Sequence, residues 1–159
     1  MVEPTIEWKT SSASAEEITR HLISCDANFV PPLSSRVVMP AYVRKIVDFA
    51  TRFEAWAGNT LVGMVAVYCN DPARRVAHVT SVSVLAEYNG LGIARNLMRR
   101  CILHATTHGM GEISLQVDRE NLAAIGLYEK LGFVALVSPV SSENNNIDMG
   151  LELRGGNKG

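Results

Sequence analysis

The chain reads as one α+β domain, a mixed and mostly antiparallel sheet with helices on both faces. Three observations predict it. Strand-period and helix-period segments follow in the order β-α-α-β-β-β-α-β-α-β-β, so hairpins join some strands and helices join others. The middle strands, Phe53–Ala57, Thr60–Cys69 and Arg75–Val84, form a meander whose first turn is the two-residue hairpin signal Gly58-Asn59. At 159 residues the chain has room for one real core and too little for two.

Each element has a local cause. Thr5–Lys9 is the expected first strand. Ser14-Ala15-Glu16-Glu17 is a capping box, and the helix it opens places Ile18, Leu22 and Cys25 on one face. Asn28–Leu33 contains Pro31-Pro32, which excludes a helix there. Pro40 suits the first turn of a second helix whose apolar stripe is Val43, Ile46, Val47 and Ala50. After the meander, whose second strand ends at Asn70-Asp71-Pro72, a long helix begins past Gly90. One of its sides carries Leu91, Ala94, Leu97, Met98, Cys101, Ile102 and Ala105, the other Arg95, Arg99 and Arg100, and Gly109 and Gly111 end it. Ile113–Val117 is a buried strand, Asn121 the N-cap of the next helix, and Gly132 its C′ residue. Phe133–Val137 and the alternating Ile147, Met149, Leu151 and Leu153 are the last strands, joined by the polar loop Ser138–Asn146. The domain is expected to span residues 1–154, with 155–159 a flexible tail.

Composition excludes several classes. A formal net charge of −1 argues against a general nucleic-acid or anionic-membrane surface. No apolar run is long enough to span a bilayer, and Met1-Val2-Glu3-Pro4 has neither the basic nor the apolar part of a secretory signal, so a cytoplasmic location is expected. Cys25, Cys69 and Cys101 are odd in number and widely spaced, which predicts three buried, reduced thiols; without close Cys or His pairs no metal site is expected.

Two motifs carry chemistry. Val82–Ala94 reads as a β-branched strand, a short loop, two glycines and a helix start, a junction that aims backbone N–H groups at an anion, most often phosphate. A Rossmann-type reading is rejected, because the loop follows hairpin strands and lacks an early βαβ unit. The second motif is Asn121-Leu122-Ala123-Ala124-Ile125-Gly126-Leu127-Tyr128-Glu129-Lys130-Leu131-Gly132-Phe133. Together the two resemble the GNAT superfamily of acetyl-CoA-dependent N-acetyltransferases, over roughly residues 76–135. Asn89-Gly90-Leu91-Gly92-Ile93-Ala94 matches the family's phosphate loop, and the second motif matches its other signature almost letter for letter.

The resemblance implies an acyltransferase with acetyl-CoA as cosubstrate. Asn89, Gly90, Leu91, Gly92, Ile93 and Ala94 would hold the diphosphate, with Arg95 close by. Val82 and Val84 would pair with the pantetheine arm, and the backbone near Val84 would donate to the thioester oxygen. Asn121 would contact the cofactor as well as cap its helix. Tyr128 would be the general acid, its phenol beside the departing thiolate; without the motif it reads as a core aromatic. The base is where the chain departs from its relatives. Gln116 stands where the ribosomal-protein acetyltransferases have a glutamate, and His78 aligns with the glutamate of the histone acetyltransferases. His78 therefore reads either as the base or as a satisfied strand histidine. Glu87 and Asp118 are further carboxylates in nearby loops. Arg99 and Arg100 read as a solvated helix face.

The acceptor would be held by residues 25–45 and 138–147, with Phe29, Arg36 and Tyr42 as candidate lining. A lone arginine among polar groups points to a small anionic amine, an amino acid or amino sugar, on a protein that is a monomer or homodimer. A protein or peptide N-terminus as acceptor, and a non-catalytic acyl-CoA-binding module, are the alternatives.

Overall fold

The structure, a computed structural model, describes residues 5–29, 31–70, 73–136 and 145–153. Met1–Pro4, the expected tail 155–159, Val137 and most of the Ser138–Asn146 loop lie outside them. Among the described residues there are seven strands: β1 (Glu7–Thr10), β2 (Thr51–Ala57), β3 (Thr60–Tyr68), β4 (Val76–Val84), β5 (Glu112–Asp118), β6 (Val134–Ala135) and β7 (Asn146–Glu152). They form one sheet in the order β1-β2-β3-β4-β5-β7-β6. Every neighbouring pair is antiparallel except β4–β5.

Helices cover both faces, as the sequence predicts. Helices α3 (Ile93–Thr107) and α4 (Leu122–Lys130) pack Leu97, Met98, Cys101 and Tyr128 against Val65, Ala77, Ile113 and Met149. Helices α1 (Ala15–Cys25) and α2 (Met39–Phe49) pack Ile18, Leu22, Val43 and Ile46 against Trp56, Met64 and Ala66 on the opposite face. The capping box of α1 forms, with Ser14 Oγ accepting from Glu17 N and Glu17 accepting from Ser14 N. Gly63 on β3 permits the close approach of α3: a Cβ there would stand 2.8 Å from Ile93 Cγ2. The start of α3 is thereby held hard against the sheet.

Several expectations shift in register. The first strand begins at Glu7, not Thr5. Asn28 closes a 3-10 turn over Asp26–Asn28, and Leu33 opens another over Leu33–Ser35; only the prolines between them are excluded from helical turns. The stripe on α2 is narrower than its spacing implies, since Val43 and Ile46 are buried while Val47 is exposed. Leu91 is not on α3 at all: the helix starts at Ile93, and Leu91 is exposed in the loop before it. Cys25 and Cys101 are buried, but Cys69, at the end of β3, is half-buried; all three are free thiols. Arg100 is more than a solvated charge, lying 5.1 Å from the Trp8 ring and donating to Asn96 Oδ1 at 2.7 Å.

A buried carboxylate ties the start of α1 to the sheet. Glu54, fully buried on β2, accepts from Ser12 N, Ser12 Oγ, Ala13 N, Trp56 Nε1 and Arg52 Nε. Burial alone pushes its pKa up, but the bonds from Ser12, Ala13 and Trp56 outweigh it, and the net shift is downward. Arg52 is nearly as buried, and its Nη2 donates to Ala13 O. Glu54→Ala leaves that guanidinium without its carboxylate. We expect urea denaturation to show a loss of about 3–5 kcal/mol. The depressed pKa means that Glu54 stabilises the fold above the ordinary glutamate range, a contribution lost as the pH falls through the folded-state value. The variant should therefore lose less stability on acidification than the native chain.

Candidate functional site

The one parallel pair among the described strands frames the candidate site. Strands β4 and β5 are registered at Val76–Glu112, Ala77–Ile113 and His78–Ser114, and then they part. A bulge in β4 falls where they part. The β3 register jumps from Ala66–Ser81 to Val67–Val79, leaving Thr80 unmatched. Tyr42 on α2 stabilises the bulge, its hydroxyl donating to Thr80 O at 2.7 Å. The bulge also changes the phase of the strand. Ala77 and Val79 face α3 and α4 below it, Val82 and Val84 above it.

Leu85 N donates to Val62 O at 2.8 Å, and β3–β4 pairing runs in register from there. In an antiparallel ladder alternate residues bond to the partner strand. Ser83 and Ser81 therefore exchange bonds with β3, and Val82 and Val84 turn their N–H and C=O groups to the other edge, into the opening beside β5. That edge is a vacant ladder. Opposite it stand Leu115, Gln116, Val117 and Asp118 of β5 and Asn121, Ala124 and Tyr128 of α4. The opening is two joined hollows sharing Phe29, Val82, Asn121, Ala124 and Tyr128. The hollow towards α3 offers about 270 Å³, and the one towards α2 about 100 Å³.

The α3 end of the opening is a cradle of free donors. Gly90 and Gly92 hold φ of +82° and +78°, backbone that a side chain would strain. Asn96 N, donating to Gly92 O at 3.0 Å, makes the first bond of the helix. Among the described residues, no acceptor takes the amides of Gly90–Arg95. No acidic residue stands in the first turn of α3, and Arg95 does. Free donors at a helix start are the geometry that suits an anion. Asn89 and Ala94 line the larger hollow.

Tyr128 stands on the wall between the hollows, 6% exposed, with its ring 5.9 Å from that of Phe133. Burial pushes its phenol up to about 12, so it carries its proton at every physiological pH. Asn121 caps α4 through Ala124 N at 3.2 Å while also facing both hollows. All three acceptor candidates, Phe29, Arg36 and Tyr42, are on the wall of the α2-side hollow. The other acceptor segment, 138–147, is described only from 145.

His78 is placed differently. It belongs to the last registered pair, at the closed end of the opening, and lines neither hollow. Its Nδ1 lies 3.1 Å from Ser114 Oγ. Partial burial and the Lys45 ammonium lower its pKa, and the Asp148 carboxylate partly offsets them. Asp118 is committed to its turn, accepting from Glu120 N at 2.8 Å and Asn145 Nδ2 at 3.3 Å. Glu87 is exposed beside Cys25, whose thiol is raised to about 11 by burial and then by that carboxylate.

Three features escape sequence reasoning. Ser81 lines the α2-side hollow with its hydroxyl buried and unpartnered among the described residues. His21 is buried behind the other hollow, Nδ1 3.0 Å from Leu61 O and Nε2 2.8 Å from Ser83 Oγ, which ties α1 to β4. Gln116 Nε2 donates to Asp148 Oδ1 at 3.0 Å. Nothing local marks these residues, but the alternation of Ile147, Met149 and Leu151 does put Asp148 on the opposite face of β7.

Residues 17–133 match the model of the acetyltransferase (GNAT) family. A mycothiol acetyltransferase of Corynebacterium glutamicum is 33% identical over 88 residues, covering 55% of this chain and 30% of its own length. The chain thus spans under a third of such curated relatives. Among solved structures, the ribosomal-protein-S18-alanine N-acetyltransferase of Escherichia coli superposes with a TM-score of 0.75 at 16% identity, over 97% of both chains. The PaiA N-acetyltransferase of Thermoplasma acidophilum, solved with coenzyme A, has a TM-score of 0.71 at 16% identity, over 93% of this chain and 99% of that one.

An added Cβ at Gly92 meets no atom within 4 Å, so Gly92→Ala tests the backbone conformation alone. The left-handed geometry should cost about 1–2 kcal/mol, read as a lower urea midpoint at unchanged slope.

Proposed function

The chain belongs to the acetyltransferase (GNAT) family, and we propose that it transfers an acetyl group from acetyl-CoA to the primary amine of a small molecule by direct transfer in a ternary complex. One observation carries this reading: a vacant strand edge at Val82 and Val84 leads from a cradle of free amides to a buried phenol. Those are the parts needed to hold a phosphorylated thioester and to protonate its leaving thiolate. The residues present fit acetyl-CoA, which would supply the activated acetyl group. Asn89–Arg95 would bind its diphosphate, the edge of β4 would pair with its arm, and Asn121 would flank that arm.

The catalytic roles follow from position. The N–H groups on the free β4 edge are fixed donors for a thioester oxygen as charge develops there. Tyr128, protonated and beside that edge, donates to the departing sulfur; from a phenol at about 12 to a thiol of ordinary pKa ~8.5 the transfer is uphill on its own, and it is carried by the return of the acceptor's proton to the phenol as the amide forms. His78, at the closed end, is the sequence's candidate for drawing off the amine proton. Arg36, exposed at the α2-side hollow with no side-chain hydrogen bond or ion pair among the described residues, favours an acceptor with an anionic group, an amino acid or amino sugar.

A thiol-release assay with acetyl-CoA and a panel of amino acids, amino sugars and short peptides tests the reading. Release with a small amine supports it. Release only with peptides moves the acceptor to a protein N-terminus, and coenzyme A binding without release leaves a non-catalytic module. Tyr128→Phe should lower kcat about 100-fold or more, with the KM for acetyl-CoA and the melting temperature little changed. Because the phenol holds its proton to about 12, native turnover should show no alkaline loss near pH 10 from this group.

A further inference from the structure

The hydrogen bond between Gln116 and Asp148 holds a carboxylate beside a residue that lines the α2-side hollow. His78 and Ser114 are directly opposed across β4–β5, and Gln116 and Asp148 across β5–β7. Alternation puts all four side chains on the face of the sheet away from α3 and α4, because Ile113, Leu115, Val117, Ile147, Met149 and Leu151 point into that core. Gln116 also lines the α2-side hollow, the half of the opening that the thioester arm would not fill. An amine approaching the free edge of β4 from that side passes this polar patch.

Gln116 cannot accept a proton, and its amide N–H is turned to Asp148 Oδ1. The bond holds the Asp148 carboxylate against Gln116 and leaves Oδ2 with no hydrogen-bond partner among the described residues. Asp118, the carboxylate that itself lines the α2-side hollow, is held by its turn, and Asp148 stands behind Gln116 rather than on the lining. The remaining charged groups facing this patch are Glu112 of β5, Lys45 of α2 and Glu152 of β7. Glu112 Oε2 is 3.0 Å from the Cβ position of Gly150, two registered pairs below Asp148. Lys45 acts on His78 and lies 5.4 Å from the Tyr68 ring. The patch thus holds more carboxylate than cation, which attracts an ammonium group.

We propose that Asp148, positioned by the amide of Gln116, accepts the proton from the acceptor's ammonium group, with His78 behind it. This rests on the acetyl-transfer reading above. The protons balance. The ammonium gives one proton to Asp148 and becomes a nucleophilic amine. The new N–C bond forms as the C–S bond breaks, and the thiolate takes a proton from Tyr128. The second amine proton, lost as the amide forms, restores the phenol, and Asp148 releases the first to solvent.

The test compares native protein, Asp148→Asn, the exchange variant Gln116→Glu/Asp148→Asn, and Glu7→Gln, exposed on the far edge strand β1, as a surface control. Each is assayed across pH with acetyl-CoA and the amine of the panel that native protein turns over fastest. Asp148→Asn should lower kcat/KM about 100-fold near pH 7, and the deficit should close as the pH passes the amine's own pKa, where no base is needed. The exchange variant returns a carboxylate to the wall and should recover at least 10-fold of the loss; the control should match native protein. An Asp148→Asn profile unchanged at every pH overturns the proposal. So does a uniform loss that neither high pH nor the exchange relieves, which marks a structural bond. In both cases acetyl transfer by native protein stands. Native protein that releases no thiol with any amine overturns the transferase reading, and this proposal with it.

Discussion

The site depends on one constraint: two parallel strands that begin paired and cannot stay so. β4 and β5 share three registered residues before a bulge at Thr80 bends β4 away. Parallel strands are normally buried and fully bonded. Here the unpaired length leaves backbone N–H and C=O groups facing an opening, a costly arrangement unless water or a ligand supplies partners. The bulge is fixed from outside the sheet, by the Tyr42 hydroxyl on the Thr80 carbonyl. Structure and recognition therefore share a cause, since what breaks the ladder also presents its free edge.

The opening has two unlike halves. The α3 half is made of backbone: free amides at a helix start, a strand edge, and two glycines in left-handed conformation. Such a surface recognises phosphate and amide geometry, and few side chains in it need to be particular. The α2 half is made of side chains, among them Arg36, Ser81, Gln116 and, behind it, Asp148. Its outer wall is the connection between α1 and α2, where Asp26 accepts from Ser34 N at 2.7 Å and Ser34 Oγ at 2.8 Å to brace the two 3-10 turns. His21 and Glu54 anchor the base of the same wall to β4 and β2. A donor site built from backbone suits a cosubstrate common to a family, and an acceptor site built from side chains can vary between its members.

Much of this was legible in the chain because its causes are local. The capping box at Ser14, the hairpin at Gly58-Asn59, the αL glycines before α3 and the Asn121 cap each act within a few residues, and each is found where the sequence puts it. The core faces of α1 and β7 followed from periodicity. Where periodicity misled, a tertiary neighbour was responsible. Val47 continues the stripe of α2 but lies beyond the reach of the sheet, and Leu91 continues the period of α3 but precedes the left-handed residue that starts it.

The sequence by itself determined the elements and the glycine-bounded helix start at Gly90–Arg95, because hydrogen bonds and dihedral preferences a few residues long specify them, while Tyr128 was singled out only by the resemblance of its motif. Only the tertiary structure decided what faces what across strands distant in sequence. It set His78 at the closed end of the opening, spent Asp118 on a turn, and laid Gln116 against Asp148. Strand register governs those meetings, and register is settled by the packing of the whole sheet rather than by any short stretch of the chain.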